Sequence, residues 1–156
     1  SSKQSKLSME EQGLEHKAYP FVTEPRGPAY SPKRDLEGCA AQQPTAGKVV
    51  AELKFVFWEK MLTNRHQGRL WDDHFCAVFP DAPRGVAASQ RRSELRSDIE
   101  AVRRLRNRIA HHEPVFPRAL QDDFDRIIRC IRWRNETTSN WVLEIETVRA
   151  LLAVRP

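Results

Sequence analysis

Apolar residues recur every three or four positions through much of this chain, which is the spacing of one face of an α-helix. The clearest run has intervals of four, three, three and four residues and consists of Leu95, Ile99, Val102, Leu105 and Ile109. Ser89 is a suitable N-cap before this run, and Pro114 follows it. The pattern therefore predicts a long helix that starts near Ser89 and ends before Pro114.

Two later segments have the same periodicity. LQDDFDRIIRCIRWR, residues 120–134, places its apolar residues on one face: Leu120, Phe124, Ile127, Ile128 and Ile131. A further segment starts at Ser139 and contains Trp141, Val142, Ile145, Val148, Leu151 and Leu152. Sustained alternation of apolar and polar residues, the signature of a half-buried strand, is not found. These patterns predict an all-α fold, a helical bundle with short connections.

The first part of the chain has a different character. Residues 18–33, AYPFVTEPRGPAYSPK, contain four of the ten prolines. Because proline removes a backbone donor and disfavours helix in the residue before it, we predict an N-terminal arm over 1–44 that is mostly irregular. The bundle is predicted over 45–156. Its first segment, TAGKVVAELKFVFWEKML, is apolar all round and is expected to be covered on more than one side.

Composition narrows the class of protein. A chain of 156 residues with 40% hydrophobic content can build one modest core. The net charge is +5, and residues 1–45 carry six basic and six acidic side chains, so the excess lies in 46–156. Nineteen of the 26 basic residues are Arg. A guanidinium matches the geometry of phosphate, so the composition favours a polyanionic partner, although only weakly.

Cysteine usage and hydropathy indicate a compartment. Cys39, Cys76 and Cys130 lie far apart and form no CxxC pair, which argues against a zinc knuckle and against a disulfide framework. The first residues, SSKQSKLSMEEQ, lack the apolar run of a signal peptide, and no stretch is apolar over about 18 residues. We therefore predict a soluble, cytoplasmic protein with reduced thiols and no membrane partner.

The most unusual stretch is RNRIAHHEP, residues 106–114. At about 100° per residue, Arg106 lies within roughly 40° of the centre of the apolar stripe, so it is expected to point inward. A buried guanidinium needs a carboxylate, a water-filled cleft or an anion bound with a second subunit. His111 and His112 project about 140° and about 120° away from Arg106, in opposite senses. A site therefore needs the last turn to unwind before Pro114, or a symmetry-related helix.

Spacing alone does not identify a site here. With 19 Arg and five His, chance gives roughly two Arg–His pairs at such gaps. Arg69 and His74 have the same four-residue gap. Without further information these side chains are solvated helix charges and a polar C-terminal turn. A metal site is disfavoured because adjacent helical histidines diverge by about 100°, and no metal or other cofactor is expected.

Three motifs in order provide that further information: VVAELKFVFWEKML, then RLWDDHF with VFPDAP, then RRLRNRIAHHEPVF. Over about residues 46–156 the chain resembles the Abi-like (abortive infection) family of bacterial proteins, within the HEPN superfamily of helical nucleases. The resemblance implies a helical bundle, usually dimeric. It also implies a metal-independent RNase site at the subunit interface, formed by an Arg-polar-x-x-x-His motif. In this chain the motif corresponds to Arg106, Asn107 and His111.

The resemblance also implies roles for these residues. His111 would act as general base or acid, Arg106 would stabilise charge on the phosphorane oxygens, and Asn107 would orient the site. His112 and Glu113 are supporting candidates, although an ordinary helix end is the favoured role for Glu113. Three further arginines are candidates for RNA binding: Arg103, Arg104 and Arg108. The implied partners are RNA, a second copy of the chain and an antitoxin protein.

Two functions follow as expectations. The first is an endoribonuclease of the phage-defence or toxin-antitoxin type. Members of the family normally have further helices ahead of the segment that corresponds to residue 46, and the Pro-rich stretch does not supply them. The alternative is therefore a catalytically inactive or truncated HEPN-type module that binds RNA or another partner.

Overall fold

The computed structural model describes residues 30–154, and every regular element among them is helical. The prediction of an all-α fold is thus confirmed for this part of the chain. The α-helices are α1 (Pro32–Gln42), α2 (Ala46–Glu52), α3 (Phe55–Met61), α4 (Asp72–Val78), α5 (Ala88–Ala110), α6 (Leu120–Arg134), α7 (Glu136–Ile145) and α8 (Val148–Ala153). A 3-10 turn, Asn64–His66, and a short π-helix, Gln67–Trp71, precede α4.

The chain divides into two compact units, which meet in sequence between Met61 and Leu62. In the first unit, helices α1 to α3 enclose a small core of Leu36, Val49, Leu53 and Phe57. Each of these side chains is less than a tenth exposed. This division into compact units does not test the predicted boundary between an N-terminal arm and a bundle after residue 44, which stays a prediction.

Helix α1 lies within the segment predicted to be mostly irregular, most of which, residues 1–29, falls outside the described residues. Over 32–42 the structure is helical instead. The side chain of Ser31 accepts a hydrogen bond from the N–H of Arg34 at 3.2 Å and caps the helix. Pro32 occupies the first turn, where its missing N–H has no helical partner to lose. Proline there marks the start of a helix, not a break.

The apolar segment over residues 45–62 folds as two short helices, α2 and α3. Its expected coverage on more than one side is wrong for three large side chains: Val50, Phe55 and Trp58 are 51%, 45% and 41% exposed. Helix α2 ends after Glu52, and Leu53 has an extended backbone. Helix α3 nevertheless buries Phe57 and Glu59 on either side of the exposed Trp58.

The second unit is built around helices α5 and α6. Phe75 and Leu95, each 1% exposed, lie at the centre of its core, together with Leu62, Trp71, Ala82 and Trp133. Helix α6 spans Leu120–Arg134, as its periodicity predicts, and buries Phe124 and Ile128. Helix α5 confirms the long predicted helix, but its N-cap is Ala87, which has no side-chain capping bond, and not Ser89.

The C-terminal segment is interrupted between α7 and α8. Asn135 caps α7 by accepting a hydrogen bond from the N–H of Thr138 at 2.7 Å. Glu146, at the C-cap of α7, has an extended backbone that ends the helix. Trp141, Ile145 and Leu151 are 57%, 58% and 66% exposed. The apolar residues of this segment are therefore only partly buried in the second unit.

Candidate functional site

The candidate site lies where α5 ends and the chain turns. The N–H of His112 donates to the carbonyl of Ile109 at 3.1 Å, and the N–H of Glu113 donates to the carbonyl of Arg108 at 2.8 Å. This pair of bonds is the Schellman motif, which satisfies the last carbonyls of a helix. His112 occupies the position where glycine is usual, with a left-handed φ of 55°.

The Schellman turn takes both histidines out of the regular helix. Helix α5 ends at Ala110, and His111 is its C-cap with φ −99° and ψ 12°. Both imidazoles are exposed. The last turn thus unwinds before Pro114, which is one of the two arrangements that the helical geometry of the motif requires.

The structure places Arg106 differently from the sequence expectation. An inward position is wrong within this chain, because Arg106 is exposed and its Nη1 donates to Oδ1 of the adjacent Asn107 at 3.3 Å. The apolar stripe of α5 is buried at Leu95 but not at the end of the helix, where Ile109 is 58% exposed. Among residues 30–154, no carboxylate pairs with Arg106. Its guanidinium is therefore available to an anion that does not belong to residues 30–154.

The neighbouring basic residues are partly neutralised. Arg104 forms an ion pair with Glu100 one turn earlier in α5. The Nε of Arg108 lies 3.6 Å from a carboxylate oxygen of Glu113. Glu113 thus contributes an ion pair and a backbone bond to the helix end, the role favoured for it above. Arg103 is half-buried.

The exposed residues combine three kinds of chemistry in a short stretch of chain. Arg106 supplies a cation, the two adjacent histidines supply imidazoles, and Ile109 supplies apolar surface. Phe116, just beyond the turn, is 71% exposed. In the part of the chain described, no hydrogen bond joins Arg106 to His111 or His112. One chain therefore presents the groups without assembling them against each other.

The comparison pair from the sequence, Arg69 and His74, lies elsewhere in the same unit. Arg69 belongs to the π-helix and His74 to α4, and both are exposed. They share the four-residue gap of the motif but not the unwound helix end. This pair provides a matched control for experiments on Arg106 and His111.

Two further features, a cluster of metal ligands and a membrane-spanning helix, are not found among residues 30–154. No three His, Cys, Asp or Glu side chains among residues 30–154 are grouped as a metal ion would need. No helix within those residues has both the length and the apolar character for crossing a bilayer.

Comparison with protein-family models, with curated proteins and with solved structures finds no match for this chain. The resemblance to the Abi-like family therefore rests on the motifs in the sequence.

One feature of the site has no sequence signal. The left-handed backbone at His112 is normally indicated by glycine or asparagine, and neither is present. Only Pro114, two residues later, indicates that the helix must stop nearby. The conformation that carries His111 and His112 away from the helix could therefore not be read from residue types alone.

Proposed function

We propose that this protein is a metal-independent endoribonuclease of the phage-defence or toxin-antitoxin type, with a site completed by a second copy of the chain. The observation that carries the proposal is the joint exposure of Arg106, His111 and His112 where α5 unwinds, beside the half-buried Asn107. The resemblance of RNRIAHHEP to the Abi-like motif supplies the class of reaction.

A second copy is proposed because one chain leaves the groups apart. A two-fold axis brings the same surface of both copies together, so two guanidiniums and four imidazoles would share one interface. Ile109 and Phe116, 58% and 71% exposed, would give this interface apolar contact area. The exposure of Arg106 in a single chain agrees with such an arrangement, since its anionic partner would be RNA held between the two copies.

The proposed reaction is transesterification within RNA. The 2′-hydroxyl attacks the adjacent phosphorus while His111 of one copy removes its proton, and the bond to the 5′-oxygen breaks. A protonated imidazole from the other copy donates the proton that the leaving 5′-oxygen needs. Arg106 stabilises the charge that develops on the equatorial oxygens. The products are a 2′,3′-cyclic phosphate and a 5′-hydroxyl.

The remaining residues would bind and orient the RNA. Asn107 already accepts a hydrogen bond from Arg106 and would fix its position. The candidate phosphate contacts are Arg103, Arg104 and Arg108. An antitoxin protein that covers the exposed helix end would block the site, and the reaction would take place in the cytoplasm.

The second candidate function is a HEPN-type module that binds RNA or a partner without cleaving. It is favoured by the absence, in residues 30–154, of any group that holds Arg106 against an imidazole. The two functions share the binding surface and differ in turnover.

Cleavage of end-labelled RNA in the presence of EDTA tests the proposal. We expect a 2′,3′-cyclic phosphate product with the unmodified protein, and its loss with Arg106→Ala and with His111→Ala. Arg69→Ala and His74→Ala, which alter exposed residues at the same gap, should cleave normally. Equal background cleavage in all five preparations rejects the nuclease, and RNA binding that depends on Arg106 would then support the second function. A strictly monomeric mass by light scattering rejects the two-copy site.

A further inference from the structure

The second unit contains a cavity of about 590 Å³ between α6, the two C-terminal helices α7 and α8, and the loop after α4. Its apolar wall consists of Phe124, Ile128, Trp133 and Leu143. Cavities of roughly 300–1,000 Å³ with an apolar lining and a few polar groups are typical of small-molecule sites. None of the residues proposed for RNA cleavage lines this cavity.

Three arginines line the cavity, and two of them are already paired. Arg129 donates Nε and Nη2 to the carboxylate of Asp98 at 2.6 and 2.7 Å. Arg149 pairs with Glu146 and donates Nη2 to the carbonyl of Leu143 at 3.1 Å. Both guanidiniums therefore have most of their charge compensated within the chain.

Arg132 differs from these two arginines. It is exposed and lines the same cavity, and its side chain has no hydrogen bond or ion pair with any residue in the range 30–154. A guanidinium presents a planar set of donors that fits two oxygens of a phosphate or carboxylate. Arg132 is thus a cation beside an apolar wall with its donors available to a ligand.

The acidic residues of the cavity do not compensate Arg132. Asp81 accepts a hydrogen bond from the N–H of Glu136 at 2.9 Å, at the start of α7. Asp125 accepts a hydrogen bond from the side-chain amide of Gln121 at 2.9 Å. Each carboxylate is oriented by a neutral donor and forms no ion pair with Arg132, so this guanidinium has no anionic partner among residues 30–154.

We propose that this cavity binds a small aromatic anion, with its phosphate or carboxylate on Arg132 and its ring against the apolar wall. A nucleoside monophosphate has this chemistry: a flat base, a sugar that spans the polar rim and a phosphate with oxygens for the guanidinium. The inference goes beyond RNA cleavage and does not depend on it.

Isothermal titration calorimetry on the full chain tests the inference, with AMP, adenosine, phenylacetate and inorganic phosphate as probes. We expect AMP to bind, and adenosine and inorganic phosphate each to bind at least about tenfold more weakly, because each lacks half of the contacts. Binding of phenylacetate would identify a carboxylate source for the same chemistry. Arg132→Ala should weaken binding by about tenfold or more, as loss of a charged hydrogen-bonding group does.

Arg134→Ala is the matched control. Arg134 is also exposed and also on α6, but it does not line the cavity, so its removal should leave AMP affinity unchanged. Equal weakening by both substitutions would show attraction by surface charge alone and would overturn the proposal. So would the absence of binding by all four probes, or unchanged AMP affinity in Arg132→Ala. RNA cleavage by Arg132→Ala should stay normal, so failure here is distinguishable from failure of the nuclease.

Discussion

Arg129 on α6 donates two parallel hydrogen bonds to the carboxylate of Asp98 on α5, at 2.6 and 2.7 Å. The Asp98 side chain is 4% exposed and that of Arg129 is 39% exposed. The partly exposed guanidinium keeps contact with water, while the buried carboxylate receives its donors from α6. This forked pair joins the two longest helices of the second unit at a fixed register.

Asp98→Ala should lower the free energy of unfolding by about 2–3 kcal/mol, because it removes two charge-assisted hydrogen bonds and a buried side chain. The exposed side of Arg129 can rehydrate, which keeps the loss below that of a fully buried pair. Urea unfolding followed by circular dichroism measures the change. Glu100→Ala, which removes an exposed pair with Arg104, should cost no more than about 0.5 kcal/mol. Equal losses would show that the pair of Arg129 and Asp98 stabilises the protein no more than an exposed ion pair does.

Ser139→Ala should stabilise the protein. Ser139 is fully buried, and its Oγ has no hydrogen-bond partner. Removal of a desolvated, unbonded hydroxyl should raise the free energy of unfolding by about 1 kcal/mol. Ser97→Ala, at an exposed position inside α5, controls for the higher helix propensity of alanine. A smaller gain at Ser139 than at Ser97 would contradict the prediction.

His112→Gly should raise the free energy of unfolding by about 0.5–1 kcal/mol, because glycine adopts a φ of 55° without the Cβ contact that strains other residues. His111→Gly, at a φ of −99°, should lower it, since there glycine only adds freedom to the unfolded chain. Thermal unfolding of both variants measures the pair of effects. The same sign for both substitutions would argue against a strained left-handed residue.

His66 should make stability depend on pH. It is 3% exposed, and desolvation by burial, followed by the charge of Arg65, lowers its pKa below the ordinary 6.5. The unfolded chain therefore takes up the proton first as pH falls, so stability is complete above pH 6.5 and is lost as pH falls through the depressed pKa. Urea midpoints at several pH values between 7.5 and 5 should fall less steeply in His66→Gln. The exposed control, His74→Gln, should follow the unmodified protein, and a change of slope only in this control would refute the assignment.

The three cysteines should react with iodoacetamide in a defined order. Burial, followed by the charge of Asp98, raises the pKa of Cys130 to about 12, so its reactive thiolate is scarce at pH 8. Burial is also the main cause of the raised pKa of Cys39. Cys76 is exposed and should be alkylated first. Peptide mass mapping over time gives the order, and early modification of Cys130 would show that the packing around it opens readily.

Periodicity was sufficient for the two longest helices because their burial follows from local repeats. The spacing that includes Leu95 predicted α5, and the spacing of Phe124 and Ile128 predicted α6 with its observed ends. A helical wheel gives the direction of a side chain around the axis. It does not give how far neighbouring helices extend along that axis, which is why Arg106 is exposed although the wheel places it near the apolar stripe.

Other features depend on contacts that no local pattern encodes. Pro32 and the cap at Ser31 start α1, in a region where the number of prolines alone suggested an irregular chain. The cavity around Arg132 is formed by residues from three separate parts of the chain, Asp81 to Arg149, so it could not be recognised from spacing. Whether the cavity offers an unpaired guanidinium depends on which of its arginines form ion pairs with carboxylates in the folded chain.

Helix α5 buries one face in its first half and has a solvent-accessible end. Leu95 and Asp98 are 1% and 3% exposed, whereas Arg106, Ile109 and His111 are exposed. In a library of random substitutions, changes near the start of this helix should reduce the cellular abundance of the protein. Changes in its final turn should leave abundance intact and alter only phenotype, so a screen that records both quantities would separate selection for folding from selection for biological activity.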